Sequence, residues 1–592
     1  MRAALLLAFL LVASVTAAAP RPDLVVVVSV DQLRFDYVDR FAPWFTPGGF
    51  QRFMAHGARF TNARYRHAAS FTAPGHAAIG TGRSAGASGI VGNSWFERDS
   101  APDAAMWEWY FDDNTAYLSP TNTPAPFHDT PDAWWKLGGA PRYCVYDDRV
   151  QATAGKTSGM SPAFLATDSL GDVVKHRYPS SRVIGLAVKD RAAILMAGRG
   201  ADAAYWFDSK ISGFISSTYY QHVNPAVLAF NTQVAGYFPG SKQWTPSPYI
   251  PADDMRRVTF DPPEAWPLKN NKYRGTFPHP INDAKALTYT PFAHELVLDF
   301  AMHVIATEEL GTRNTPDVLF VGISPTDYLG HYYGPDSMEV ADSMVRLDRD
   351  LESFLNALER RFGDRVLVVL TGDHGVTSNP EIARLRDPKA DTGRVDIRTP
   401  DANAKLLSDL PPLRLAIERE LARRLGVRFD DRAPLSHALV YFFEEPSLYV
   451  NWRRVTELQL EPERVKRALR DVLRGMPAQG FADAWTNTEL LVPDPAASPT
   501  KRLMRTSFRA DRSGDVLMAL RSGWVWMWGS NSTTHGQPVE NDLHVPLLFW
   551  GAAVKRGVYD VDSSPIDIAA TVGAILGVRA GGDDAHVLPC VE

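Results

Sequence analysis

Six residues able to bind a metal stand at the ends of apolar runs in this 592-residue sequence. Asp31 closes the run Val-Val-Val-Val-Ser-Val-Asp, and Asp327 and His331 lie in Ser-Pro-Thr-Asp-Tyr-Leu-Gly-His just beyond the apolar stretch 319–323. Asp373 and His374 end Leu-Thr-Gly-Asp-His-Gly, and His535 sits in Ser-Thr-Thr-His-Gly ahead of the apolar run 545–550. Zinc takes imidazole nitrogen and carboxylate oxygen, and catalytic zinc keeps three protein ligands and one open position. Three aspartates and three histidines divide into two such sets. Asp327 and His331, four residues apart, reach one ion from a single helical turn or tight loop, and adjacent Asp373 and His374 reach one from a loop. Taken singly, an Asp after a strand is more often a helix cap and a His a satisfied structural residue. All six standing at strand ends is harder to explain by capping.

A nucleophile is offered by Ala-Ala-Ser70-Phe-Thr72-Ala-Pro-Gly-His76. Thr72 precedes a sequence that reads as the first turns of a helix, where backbone N–H groups and the helix dipole favour phosphate. A metal-bound hydroxyl there loses its proton more easily and becomes a nucleophile. The plainer role for Thr72 is an N-cap. Ser70 competes as nucleophile but lies earlier relative to the helix.

The elements that must position these residues read as an α/β fold with a central, largely parallel sheet flanked by helices. Continuous β-branched runs at Leu24–Val30, 183–188, 318–321, 366–370 and 545–550 suit strands covered on both faces. Met344, Leu347, Leu351, Leu355, Leu358 and Phe362 recur every three or four residues and predict a helix. Ser564-Pro565 predicts a helix start, running through Ile568 and Val572 to a stop at Gly577. Open α/β sheets bind ligands at the carboxyl ends of their strands, so distant residues would converge on one edge. The ranges 95–137 (with Trp107, Trp109, Tyr110, Trp134 and Trp135), 212–280 and 387–409 break the rhythm and read as insertions able to cap that edge, or as surface decoration.

Composition sets outer limits. Hydrophobic residues at 45% and charged residues at 22% are those of a folded globular chain. A net charge of -6 without long basic runs argues against a nucleic-acid-coating surface or a polybasic membrane arm. Arg2, the apolar run 3–12 and small residues up to Ala19 read as a secretory signal peptide over 1–19, leaving 20–592 as a single catalytic domain with insertions. The run is short against the roughly 20 residues of a membrane span, and no later segment is apolar enough to be one. Cys144 and Cys590 are too few for a cysteine metal site, and whether they pair stays open.

These segments resemble the alkaline phosphatase superfamily, and most of all the phosphate-irrepressible bacterial alkaline phosphatases, relatives of the nucleotide pyrophosphatases/phosphodiesterases. The resemblance spans the chain from Val-Ser-Val-Asp31 to the Val-Pro-Leu-Leu-Phe-Trp-Gly and Ile-Asp-Ile-Ala-Ala-Thr segments. It implies that Asp327, His331 and His535 hold one zinc, and that Asp31, Asp373 and His374 hold the other with Thr72 as nucleophile. It further implies that Asn93, in Val-Gly-Asn-Ser-Trp, holds a phosphate oxygen. Lys189 and Arg191, in Val-Lys-Asp-Arg-Ala-Ala-Ile-Leu, would hold the remaining ones. That pair suits a monoester, which carries more charge on its non-bridging oxygens than a diester. The expected protein is therefore an exported, periplasmic or secreted monomer that hydrolyses small phosphate monoesters through a phosphothreonine. A phosphodiesterase on the same site and a non-catalytic zinc-binding protein are the alternatives. A sulfatase is disfavoured because Thr72-Ala-Pro-Gly-His lacks both the modifiable Cys or Ser and the arginine.

Overall fold

The computed structural model describes residues 21–98, 139–155, 158–263, 276–397, 405–526 and 531–591. The expected signal peptide and most of the 95–137 range, with Trp107, Trp109, Trp134 and Trp135, lie outside them. Among the described residues no helix is long and apolar enough to cross a membrane.

The centre is a nine-stranded sheet in the order Gly557–Tyr559, Ala58–Phe60, Leu547–Gly551, Val366–Thr371, Leu24–Val30, Asp317–Ile323, Val183–Ala187, Ala203–Asp208, Gly213–Ile215. Its middle is parallel: Leu24–Val30 runs alongside both Asp317–Ile323 and Val366–Thr371, and Val183–Ala187 continues the series to Ala203–Asp208. The expected runs thus form strands, and the sheet is largely parallel as expected, with two antiparallel members. Leu547–Gly551 is antiparallel to both its neighbours, and Gly213–Ile215 closes the far edge antiparallel. That edge strand falls inside the 212–280 range expected to project.

Why the central strands are unbroken valine runs follows from the two faces. Side chains alternate across a strand. Leu24, Val26, Val28 and Val30 join the core formed by helices Phe292–Thr307 and Met338–Phe362. Val25 and Val27 face the opposite core, with Ile79, Leu170, Val174, Ile568 and Val572. Neither face meets water, so neither needs polar residues. Burial of a Val or Leu side chain contributes about 1.5–3 kcal/mol. Such strands form a rigid base from which short loops can present polar groups.

The Met338–Phe362 helix contains all six residues of the predicted stripe, buried, with the Ser337 hydroxyl capping Val340 N–H at the start and Gly363 after its end. The last helix spans Asp567–Leu576 and stops at Gly577, in the left-handed conformation at φ 70°, as expected. It begins two residues later than Pro565, because the Asp567 carboxylate accepts the Ser564 N–H at 2.9 Å and holds the preceding residues in a turn.

A second, smaller layer follows the polar stretch near 387–409. Strands Val440–Glu444, Ser447–Val450, Val516–Leu520 and Phe481–Thr486 make a four-stranded antiparallel sheet against helices Pro412–Leu425 and Pro462–Arg474. It has its own core of Ile417, Leu421, Leu448, Leu469 and Met518. Cys144 and Cys590 form no disulfide with each other and are both buried, in separate core clusters.

Candidate active site

All six metal-binding candidates are buried and meet at one edge of the large sheet. Asp31 and Asp373 extend directly from two adjacent parallel strands, and Asp327 and His331 lie on the Pro325–Tyr333 helix that follows the third. His535 reaches the same edge from the other direction. It precedes the antiparallel strand Leu547–Gly551, whose first residue pairs with Thr371 at the carboxyl end of its neighbour. A residue ahead of an antiparallel strand and residues after parallel ones therefore converge.

The histidines are oriented alike. His331 Nδ1 donates to Thr533 O at 2.8 Å, His374 Nδ1 to Gly375 O at 2.9 Å and His535 Nδ1 to Ser70 O at 2.7 Å. A carbonyl oxygen can only accept, so each proton sits on Nδ1 and each Nε2 lone pair faces the carboxylates. His331 Nε2 and His535 Nε2 lie 3.2 and 3.4 Å from Asp327 Oδ1. His374 Nε2 lies 3.4 Å from both Asp31 Oδ1 and Asp373 Oδ2. Two groups, Asp31/Asp373/His374 and Asp327/His374/His535, have ligand atoms within 4.8 Å of one another. His374 belongs to both because its ring stacks on His535 at a centroid distance of 3.5 Å.

Charge and hydrogen bonding both leave room for cations. His374 Nε2 and Asp31 Oδ1 are fully buried and have no hydrogen-bond partner. Burial, and then the nearby Asp373, push the Asp31 carboxyl well above its ordinary range. Burial also opposes ionisation of Asp327, yet His331 and Lys189 hold it well below the usual carboxylate range. His374 is pushed down to about 3 by burial, which keeps the imidazole neutral, the form that binds metal. Three buried carboxylates around one ammonium make a donor set that fits divalent ions bound by nitrogen and oxygen.

Lys189 supplies that ammonium. It follows the Val183–Ala187 strand and caps the Asp190–Ala197 helix. Its Nζ lies 2.8 Å from Asp31 Oδ2, 2.5 Å from Asp327 Oδ2 and 3.4 Å from Thr72 Oγ1. Burial works against its charge, but Asp31 and Asp327 outweigh that and raise its pKa. Arg191 is held by Tyr143, whose hydroxyl accepts from Nη1 at 3.0 Å.

Thr72 is the first residue of the helix Thr72–Thr81, not its cap; the N-cap is Phe71, whose side chain makes no capping bond. Its hydroxyl is thus not used in capping. Asn93 Oδ1 accepts the Ala73 N–H at 2.9 Å, which fixes the carboxamide's orientation and leaves the amide nitrogen as its donor end. Ser70 is committed elsewhere, donating to Gln537 O at 3.1 Å.

Three neighbours escaped the sequence reading. His76 Nδ1 donates to Thr72 O at 2.8 Å and lies 3.2 Å from Asp373 Oδ2; its position four residues after Thr72 on a helix was the available signal. Tyr143 ends the strand Gly139–Tyr143, just after the 95–137 range, with nothing in its spacing to mark it. Gln32, directly after Asp31, donates to two of the carboxylates.

Comparison with known proteins agrees with this geometry. Residues 25–539 match the family described as type I phosphodiesterase / nucleotide pyrophosphatase. The chain is 28% identical to alkaline phosphatase PafA of Elizabethkingia meningoseptica over 95% of its own length and 93% of PafA. It is 30% identical to alkaline phosphatase PhoV of Synechococcus elongatus over 94% of its length and 90% of PhoV. The crystal structure of PafA superposes with a TM-score of 0.78 at 26% identity, covering 97% of this chain and 100% of PafA. A further PafA structure carries substitutions at a threonine, an asparagine, a lysine and an arginine. The first two are 21 positions apart and the last two are two apart, the spacings of Thr72 to Asn93 and Lys189 to Arg191 here. This chain belongs to the type I phosphodiesterase / nucleotide pyrophosphatase family of the alkaline phosphatase superfamily, and it is an enzyme of the bacterial alkaline phosphatase kind.

Proposed function

We propose that the protein hydrolyses phosphate monoesters, with Thr72 as nucleophile and two zinc ions. Asp327, His331 and His535 would hold one ion, and Asp31, Asp373 and His374 the other, with Thr72 bound beside it. Bound zinc supplies a Lewis acid that lowers the pKa of a coordinated hydroxyl and takes up charge on a leaving oxygen. The observation that carries the reading is the position of Lys189 Nζ, 3.4 Å from Thr72 Oγ1 and ion-paired with one aspartate of each set.

The residues then divide the work. Thr72 Oγ1 forms a bond to phosphorus as the ester P–O bond breaks, and the alcohol leaves with a proton. Water cleaves the threonine phosphate in the second step, releasing inorganic phosphate and restoring the hydroxyl. Asn93 Nδ2, Lys189 and Arg191 bind non-bridging oxygens and stabilise the charge on the transferring group. His76 fixes the Thr72 carbonyl and Asp373 together.

The family also contains phosphodiesterases, and the same nucleophile would serve them. Lys189 and Arg191 favour the monoester, since a diester has one charged oxygen fewer for them to bind. The residues before Ala19 are consistent with export to the periplasm or beyond. The deciding experiment is initial rates on an aryl phosphate monoester and the matching diester, for wild type and Lys189→Ala/Arg191→Ala. A monoester preference that collapses in the double variant supports the reading. A diester preference in the wild type overturns the role of the pair.

A further inference from the structure

Gln32 hydrogen-bonds, through its backbone and its side chain, to an aspartate of each proposed zinc set. Its backbone N–H donates to Asp373 Oδ1 at 3.0 Å, and its Nε2 donates to Asp327 Oδ1 at 2.6 Å. It is 1% exposed, so both bonds are shielded from water. The acceptor also fixes the amide's orientation: with the ends exchanged, the carboxamide oxygen would face a carboxylate oxygen.

The local backbone is shaped to make this reach. Gln32 sits at φ 62°, in the left-handed region that residues other than glycine seldom occupy. Such conformations persist where surrounding structure over-determines them, and they cluster at functional sites. The space for the carboxamide comes from the Pro325–Tyr333 helix, where a Cβ on Gly330 would overlap Gln32 Oε1. That glycine lies between Asp327 and His331. Turn, helix and carboxylate are thus built around one side chain.

We infer that Gln32 is a positioning residue that couples the two proposed zinc sites, orienting the Asp327 carboxylate and fixing its distance from Asp373. This rests on the two-zinc reading above. Each oxygen of Asp327 has a defined neighbourhood: Oδ2 meets Lys189, while Oδ1 meets Gln32 and the Nε2 atoms of His331 and His535. A carboxylate oxygen has two lone pairs, so Oδ1 can accept from Gln32 and still coordinate an ion. Losing an outer hydrogen bond of this kind typically lowers metal affinity 10–100-fold.

The test measures zinc affinity by competition with a chromophoric chelator, with zinc counted by elemental analysis. Gln32→Gly keeps the N–H bond to Asp373, suits the left-handed turn and deletes the carboxamide. Gln32→Met keeps the bulk beside Gly330 and lacks the donor. Both variants should hold one zinc as wild type does and the other roughly 10–100-fold more weakly. The metal-free Gln32→Gly protein should melt no lower than metal-free wild type. Wild-type affinity at both sites in both variants would overturn the inference, provided Asp327→Ala loses a zinc. A wild type that binds no zinc, or an Asp327→Ala that binds as much as wild type, would instead overturn the metal reading and this inference with it.

Discussion

The Tyr143 hydroxyl accepts a hydrogen bond from Arg191 Nη1 at 3.0 Å and donates one to Asp190 Oδ1 at 2.7 Å. One phenol therefore joins the guanidinium proposed to bind phosphate to a hairpin, Ser94–Arg98 with Gly139–Tyr143, that flanks the aromatic insertion. Asn93 lies immediately before the same hairpin. The two strands of this pair thus lie beside two of the proposed phosphate-binding groups, Asn93 and Arg191.

Tyr143→Phe should loosen Arg191 without emptying its surroundings. A hydrogen bond to a charged group is worth about 1.5–3 kcal/mol, so kcat/KM for an aryl phosphate monoester should fall roughly 10–100-fold. The matching diester should be affected much less, because it depends less on Arg191. Steady-state rates on the two esters check this.

Gly75→Ala should damage the site through sterics alone. A Cβ on Gly75 would land on the backbone oxygen of Asp373, joining the nucleophile's helix to the loop carrying Asp373 and His374. Neither backbone can yield independently. We expect a loss of about 1–3 kcal/mol in stability and at least a tenfold loss of activity, by thermal melting and rates on the same preparation.

Stability should fall in mild acid for a reason unconnected with the metals. Burial pushes His294 down to about 3 from an ordinary 6.5, and both its ring nitrogens lack hydrogen-bond partners. The folded state refuses a proton that the unfolded chain accepts below 6.5. Stability from this residue is complete above 6.5 and declines as pH falls towards 3, by about 1.4 kcal/mol per unit. His294→Phe should flatten the dependence of the melting temperature on pH between 6.5 and 4.5. A profile unchanged from wild type would contradict this.

Chelation should abolish activity and lower the melting temperature by a few degrees, and zinc should restore both. Ions that bind only the folded state stabilise it by about 2.7 kcal/mol at a hundredfold excess over Kd. Removing them leaves Asp31, Asp327 and Asp373 buried around Lys189. Calorimetry with and without chelator decides it.

Much of this architecture was legible in the sequence because double burial leaves strands no polar face. The unbroken valines of Leu24–Val30 announce a central strand, and Asp31 beyond them announces the active edge. The direction of Leu547–Gly551 was not legible, since apolar content is the same in either orientation; only pairing with Val366–Thr371 reveals it. The small four-stranded layer is not legible because helices separate its strands everywhere except between Val440–Glu444 and Ser447–Val450. Gln32 and Tyr143 were missed for another reason. Their roles lie in contacts with residues far along the chain, Asp327 and Arg191, which no local pattern encodes.

The most direct test of the central claim is the turnover of an aryl phosphate monoester by zinc-loaded wild type, Thr72→Ala and Ser70→Ala. Loss of the nucleophile should reduce kcat by at least about a thousandfold. Ser70, bonded to Gln537 O, should matter far less when replaced. Turnover by folded, zinc-loaded Thr72→Ala within tenfold of wild type would contradict the account, and loss confined to Ser70→Ala would move the nucleophile to Ser70.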